Sequence, residues 1–169
     1  MWLHKSRIAP VAAEMVKNLT AGQRIETDAP KEVALDLESV LGQYLQDESS
    51  VSERAKDLMA ARGMPTTELG RVKKELAKQK GIQIGEEAID YLLDQLLEML
   101  MHSRNVEEVY AEDFELRKIM REPLRREYAS TSDFEQEVRG QLKHVQEGSA
   151  LWEVEYQRMM EDVKRRKGL

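Results

Sequence analysis

The sequence contains no cysteine, so neither a disulfide framework nor a thiolate metal site holds the chain together. Proline is scarce at 4 residues and aromatics reach only 5%. Both shortages count against a β-sandwich, which draws on aromatic strands and frequent turns. No apolar run approaches the roughly 20 residues that cross a bilayer. The opening Met1-Trp2-Leu3-His4-Lys5-Ser6-Arg7 carries a basic cluster but lacks the apolar core of about 7–15 residues that a secretory signal needs. The expected location is therefore cytoplasmic. Positive charge is also in deficit: 26 Lys and Arg stand against 32 Asp and Glu, a net charge of −6. A sequence-independent hold on phosphates needs a basic footprint, so general nucleic-acid binding is disfavoured and only a local basic patch remains open.

What the sequence has in quantity is charge, at 34%, and apolar residues, at 41%, arranged with helical spacing. A chain of 169 residues buries about 70% of its unfolded surface and folds without a staple. Ile8, Val11, Ala12, Met15, Val16 and Leu19 form the stripe of an amphipathic helix. The same stripe recurs at Ile89, Leu92, Leu93, Leu96, Leu97 and Leu100, displaced by 81 residues. At that shift Arg24-Ile25-Glu26 meets Asn105-Val106-Glu107, and Val33 and Leu35 meet Phe114 and Leu116. Further on the shift grows: 83 for Val51 and Ala55 against Phe134 and Val138, 85 for Gly63 against Gly148, and 87 for Lys80-Gly81-Ile82 against Lys167-Gly168-Leu169. Helices in register with small insertions at loops are what drifted duplicates show.

Capping signals divide each copy. Ser6 is placed to cap a first helix, and Ser50-Val51-Ser52-Glu53 and Ser132-Asp133-Phe134-Glu135 have the letters of capping boxes. Gly63 and Gly148 stand where a left-handed residue closes a helix. Pro30 and Pro65 suit first helical positions, and Pro123 is expected to kink or split its helix. The prediction is an all-α fold of two tandem degenerate copies of a four-helix unit, residues 1–82 and 83–169, with one core between them left open. The predicted helices are 6–21, 30–46, 51–62 and 66–80, then 86–102, 111–128, 133–146 and 149–166. A strand has room only in the connector Gly81-Ile82-Gln83-Ile84-Gly85 and around Ile25 and Val106.

The duplicated pattern resembles a bacterial domain-of-unknown-function family, number five hundred and seven. The resembling stretches are His4-Lys5-Ser6-Arg7-Ile8-Ala9, Leu69-Gly70-Arg71-Val72-Lys73-Lys74 with Lys80-Gly81-Ile82, and Arg158-Met159-Met160-Glu161-Asp162-Val163-Lys164-Arg165-Arg166. The resemblance spans the chain and rests on helix-packing patterns. It implies no activity, cofactor or site.

Catalytic patterns are missing. His4, His102 and His144 have Met99 and Gln141 where a Glu-x-x-His metal pair would need glutamates three residues before His102 and His144. No His-Glu-x-x-His, phosphate loop or nucleophile elbow occurs. An acidic stripe, Glu87, Asp90, Asp94, Glu98 and His102, lies on one helix face. It reads either as a divalent-cation site or as the solvated back of the leucine helix. The shifted positions Ser6, Ala9, Ala13, Lys17 and Ala21 hold no carboxylate, which excludes a site shared by both copies and favours the solvated face.

Basic clusters stand at 71–80 (net +4), 158–167 (net +3) and 117–126 (net +4). They read as phosphate grips or as cations stabilising helix C-termini against the macrodipole; two of the three suit the second reading. Nine methionines divide between core fill (Met15, Met59, Met120) and a possible adaptable groove (Met99, Met101, Met159, Met160). Trp152 and Tyr156 share a face where the first copy has Pro65 and Leu69, and read as inter-helical packing or as a partner anchor. The resulting expectation is a non-enzymatic protein–protein interaction or structural module with no cofactor. Its candidate partner-binding residues are Trp152, Tyr156, Lys164, Arg165, Arg166 and Lys167. The alternative is a nucleic-acid or ribosome-associated protein using the basic helix ends.

Overall fold

The first apolar stripe is buried in full along α1 (Lys5–Ala21). The computed structural model describes residues 2–146 and 149–166 and continues with β1 (Ile25–Glu26), α2 (Pro30–Arg62), α3 (Leu69–Lys80), α4 (Ala88–His102), β2 (Glu108–Val109), α5 (Asp113–Gln141) and α6 (Ala150–Arg166). Short 3-10 turns at Thr66–Glu68 and Gly85–Glu87 lead into α3 and α4. The described residues are all-α apart from the two short strands. The order helix, strand, long helix, helix occurs twice.

Each half has three helices where four are predicted. The breaks expected near Ser50 and Ser132 are absent, because α2 and α5 run 33 and 29 residues without interruption. A capping box forms only where the backbone leaves helical geometry, and no glycine or proline interrupts either site. Meanwhile Leu41, Tyr44, Glu48, Val51, Ala55 and Met59 stay buried at steps of three or four residues straight through the first. Continuous burial along one face outweighs a cap worth about 1 kcal/mol. Pro123 lies buried inside α5 without splitting it; packing of Leu116, Met120 and Leu124 offsets the lost backbone bond. Ser6 lies within α1, and His4 occupies the N-cap position without a side-chain bond. Pro30 does open α2, whereas Pro65 precedes a 3-10 turn. Gly63 closes α2 at φ 60° and Gly81 closes α3 at φ 79°, left-handed positions that favour glycine. Gly148 falls outside the described residues.

Burial also corrects the register between the halves. Val33, Leu37, Leu41, Glu48, Val51, Ala55 and Met59 are buried on or beside α2, and Leu116, Met120, Leu124, Thr131, Phe134, Val138 and Leu142 on or beside α5. The offset is constant, since 116 minus 33 and 142 minus 59 both give 83. The pairing of Leu35 with Leu116 and of Val33 with Phe114 at 81 is therefore wrong: Leu35 and Phe114 are 53% and 70% exposed. The two-residue step occurs in the loops after α1 and α4. It also moves the second strand from Val106 to Glu108–Val109.

The strands pair antiparallel, Ile25 with Val109 and Glu26 with Glu108. At the offset of 83, exchanging the halves turns this ladder into itself. Glu107 N–H donates to Glu26 O at 2.8 Å and Tyr110 N–H to Arg24 O at 2.9 Å. Beside it, Asn105 Nδ2 and Ser103 Oγ both donate to the Asp36 carboxylate.

Three apolar clusters result. The largest combines α1, α4 and the N-terminal parts of α2 and α5, together with Trp2 and Leu3, so it draws on both halves. The distal part of α2 packs on α3 through Val51, Ala55, Met59, Val72 and Leu76. The distal part of α5 packs on α6 through Phe134, Val138, Trp152, Met160 and Val163. The molecule is a four-helix body from which two helical arms extend. Glu48 and Thr131, the buried polar residues among those described, occupy the same place in each half, where body gives way to arm.

Leu92, Leu96 and Leu100 face the body core while Asp90, Asp94 and Glu98 are exposed. Leu96→Ala should cost roughly 2–5 kcal/mol by urea denaturation; an unchanged midpoint would remove Leu96 from the core.

Candidate partner-binding cleft

The arms are built alike and face one another across a cleft of about 820 Å³. On the first arm, Gly63 turns the chain and Met64 N–H donates to Met59 O at 3.0 Å, the bond pattern that closes a helix on a left-handed residue. This turn places Met59, Met64 and Leu69 along one wall. The second arm supplies Trp152, Arg139 and Glu153. The lining surface is predominantly apolar, and Lys56, Thr66 and Thr67 also contribute to it.

Trp152 is buried and stacks on Tyr156, with ring centroids 4.8 Å apart and planes 17° from parallel. Its backbone N–H donates to Ser149 Oγ at 3.1 Å. Burial pushes the Tyr156 phenol up, as does the nearby Glu135, while Arg139 opposes the shift. The aromatic pair thus serves the packing of α6 on α5, and Trp152 also lines the cleft.

The basic candidates scatter. Lys164 is half-buried beside His4, whose imidazole is held below its ordinary range by burial and then by that ammonium. Arg165 pairs with Asp162, and Arg166 is exposed. Lys167 lies outside the described residues. The basic cluster of α5 meets the acidic stripe of α4: Arg121 pairs with Asp90 at 2.7 Å and Arg117 with Asp94, while Arg126 reaches Glu14 on α1. Two features that look independent in sequence are partners across a helix interface. Exposed pairs of this kind contribute about 0–1 kcal/mol each. His102 Nδ1 lies 2.9 Å from Glu98 O. Among the described residues no three His, Asp or Glu are grouped to hold a metal ion.

On α3, Lys80 pairs with Asp47 at 2.9 Å and Arg71 with Glu68 at 2.6 Å. Lys74 and Lys78 are exposed and share one face with Arg71. Sequence reasoning does not single out Met64, and it assigns Met59 to the core alone. The signal for Leu69 is present, since it occupies the face equivalent to that of Trp152 and Tyr156. The structure brings those equivalent faces to opposite walls of one cleft.

Below the cleft, at the junction of arms and body, Thr131 Oγ1 donates to Trp2 O at 2.9 Å and Trp2 meets Tyr128 edge-on at 5.7 Å. Burial raises the Glu48 carboxyl above its ordinary value of 4.5, with Lys73 opposing the shift. The Tyr44 phenol is pushed up by burial and by Glu48. Arg7 donates to Glu127 at 2.8 Å and closes the other side of the junction. No helix among the described residues is long and apolar enough to cross a membrane.

The family model described as "Protein of unknown function (DUF507)" matches residues 1–169, the whole chain, and the chain belongs to that family. No curated protein matches it.

A carboxyl whose folded value is raised stabilises the fold fully below its unfolded value, and that contribution is lost as pH rises through the folded value. Glu48→Gln, which cannot ionise, should therefore gain in Tm relative to the parent chain as pH rises above 4.5. A Tm difference that stays constant as pH rises would show that Glu48 does not titrate with a raised value.

Proposed function

We propose that this protein is a non-enzymatic interaction module that receives a partner protein in the cleft between its two arms. The observation that carries this reading is the cleft itself: about 820 Å³, with Met59, Met64, Leu69 and Trp152 supplying a predominantly apolar surface beside Lys56, Arg139 and Glu153. Methionine side chains adapt to the shape of a partner, and tryptophan anchors are over-represented among residues that dominate binding energy. The ion-paired state of Arg117, Arg121 and Arg126 removes one of the three clusters on which a nucleic-acid reading draws.

The two halves are, on this reading, drifted copies of one helical unit. The repeated element order, the offset of 83 in buried positions and the exchangeable ladder support it. Duplication supplies the two similar arms, and divergence of their facing sides, Leu69 against Trp152, makes the cleft asymmetric. The absence of cysteine supports work in a reducing compartment such as the cytoplasm.

Affinity capture of the tagged full chain from its host, with cross-linking mass spectrometry, tests the reading. Cross-links should concentrate at Lys56 and neighbouring cleft residues, and Met64→Glu should abolish capture while leaving the helical circular-dichroism spectrum intact. Capture that survives Met64→Glu, or cross-links confined to the body, would show that the cleft is not the binding surface.

A further inference from the structure

Resting on that reading, we infer that the occupant of the cleft is an acidic amphipathic helix of a partner protein. Three observations converge on it.

The first is the form of the cleft. It lies between two helical hairpins at the distal end of α2, a 33-residue helix and so about 50 Å long at 1.5 Å per residue. The two-residue strands precede the other end of α2 and α5. Among the described residues no sheet edge lies within reach to accept an added strand, so an extended peptide would leave its backbone groups unpaired against Met59, Met64, Leu69 and Trp152. A helix satisfies its own backbone and presents apolar side chains at i, i+3, i+4 and i+7 to such a groove.

The second is charge. Lys56 and Arg139 stand on opposite walls and Glu153 is the acid among the lining residues. Residues 49–80, the first arm, carry eight cations against four acids, a net of +4 in a chain of net −6, so the rest of the chain carries −10. An acidic segment is attracted to this arm more than to the rest of the chain. Two copies of the chain meeting through this arm would oppose like charges, which disfavours a homodimer there.

The third excludes a nucleic acid. The Trp152 ring is stacked on Tyr156, and among the described residues no second aromatic lines the cleft to hold a base. Single-strand binding needs such stacking platforms beside its cations.

The test uses the full chain and three synthetic peptides of about 15 residues, long enough for marginal helicity. They share leucines at i, i+3, i+4, i+7 and i+11 and carry Glu, Gln or Lys at the other positions. Binding is followed by calorimetry and by tryptophan emission, with Trp152→Phe identifying the signal from the cleft. The Glu peptide should bind at least about tenfold more tightly than the Lys peptide at low salt, with the margin narrowing as salt rises. Lys56→Glu, a change at an exposed residue outside the arm packing, should shrink that margin, and Met64→Glu should weaken all three peptides. Equal binding of the Glu and Lys peptides would overturn the acidic partner while leaving the cleft as an interaction surface. Binding of none of them would overturn the helical occupant, and displacement of the Glu peptide by an oligonucleotide would replace it with nucleic acid. Capture of a host protein through the cleft stands or falls separately.

Discussion

One continuous buried stripe on each long helix, apolar but for a single position, holds this molecule together. On α2 it runs from Val33 to Met59, and on α5 and its cap from Leu116 to Leu142. The proximal part of each stripe is buried in the body and the distal part in an arm. At about 1.5–3 kcal/mol for each large aliphatic side chain buried, neither α3 nor α6 could be held by its short connections alone; each is held because the distal stripe offers it a partner. The cleft inherits its position from the same constraint, since it lies wherever two arms launched from one body face each other.

A polar residue interrupts each stripe at the same point, Glu48 in one half and Thr131 in the other. Thr131 is accommodated cheaply, donating to the Trp2 carbonyl. Glu48 is the costlier of the two, because burial disfavours its charged form. These residues separate the body cluster from the arm clusters, so each arm has a small core of its own. The N-terminal segment Trp2-Leu3-His4 packs at this junction, tying the start of the chain to the middle of α5. Charge follows a parallel division: ion pairs between α4 and α5 and between α1 and α5 fasten the body, while Lys74 and Lys78 stay exposed on the first arm.

The all-α fold class was legible in the sequence because 3.6-residue periodicity is a strong signal over six stripe positions, as in α1 and α4. Helix number was not. Ser50-Val51-Ser52-Glu53 satisfies a capping pattern that a charged, serine-bearing helix face also produces by composition, and only the continuity of Leu41, Tyr44, Val51 and Ala55 through it reveals the difference. Register failed by two residues for a related reason. Leu35 and Phe114 are apolar but exposed, and an apolar letter on a solvated face is indistinguishable from a core position until burial is known. The cleft was half visible: Trp152, Tyr156 and Leu69 were matched as equivalent faces, but equivalence in sequence does not show that two faces meet. The cations at 158–167 stand out in the sequence by number, whereas Lys164 lies near enough to His4 to lower its pKa and Arg165 pairs with Asp162. The better-placed cations lie on α3 and beside the cleft.

Both halves contribute to one body core, with two arms attached to it. Native-state hydrogen exchange of the full chain measures this directly. Amides of α1, α4 and the proximal parts of α2 and α5 should share one highest opening free energy, drawn equally from residues before and after 82. Amides of α3, α6 and the distal parts of α2 and α5 should open at lower free energies. Protection that divides at residue 82, with all of the first half opening at one free energy and all of the second at another, would contradict a shared core.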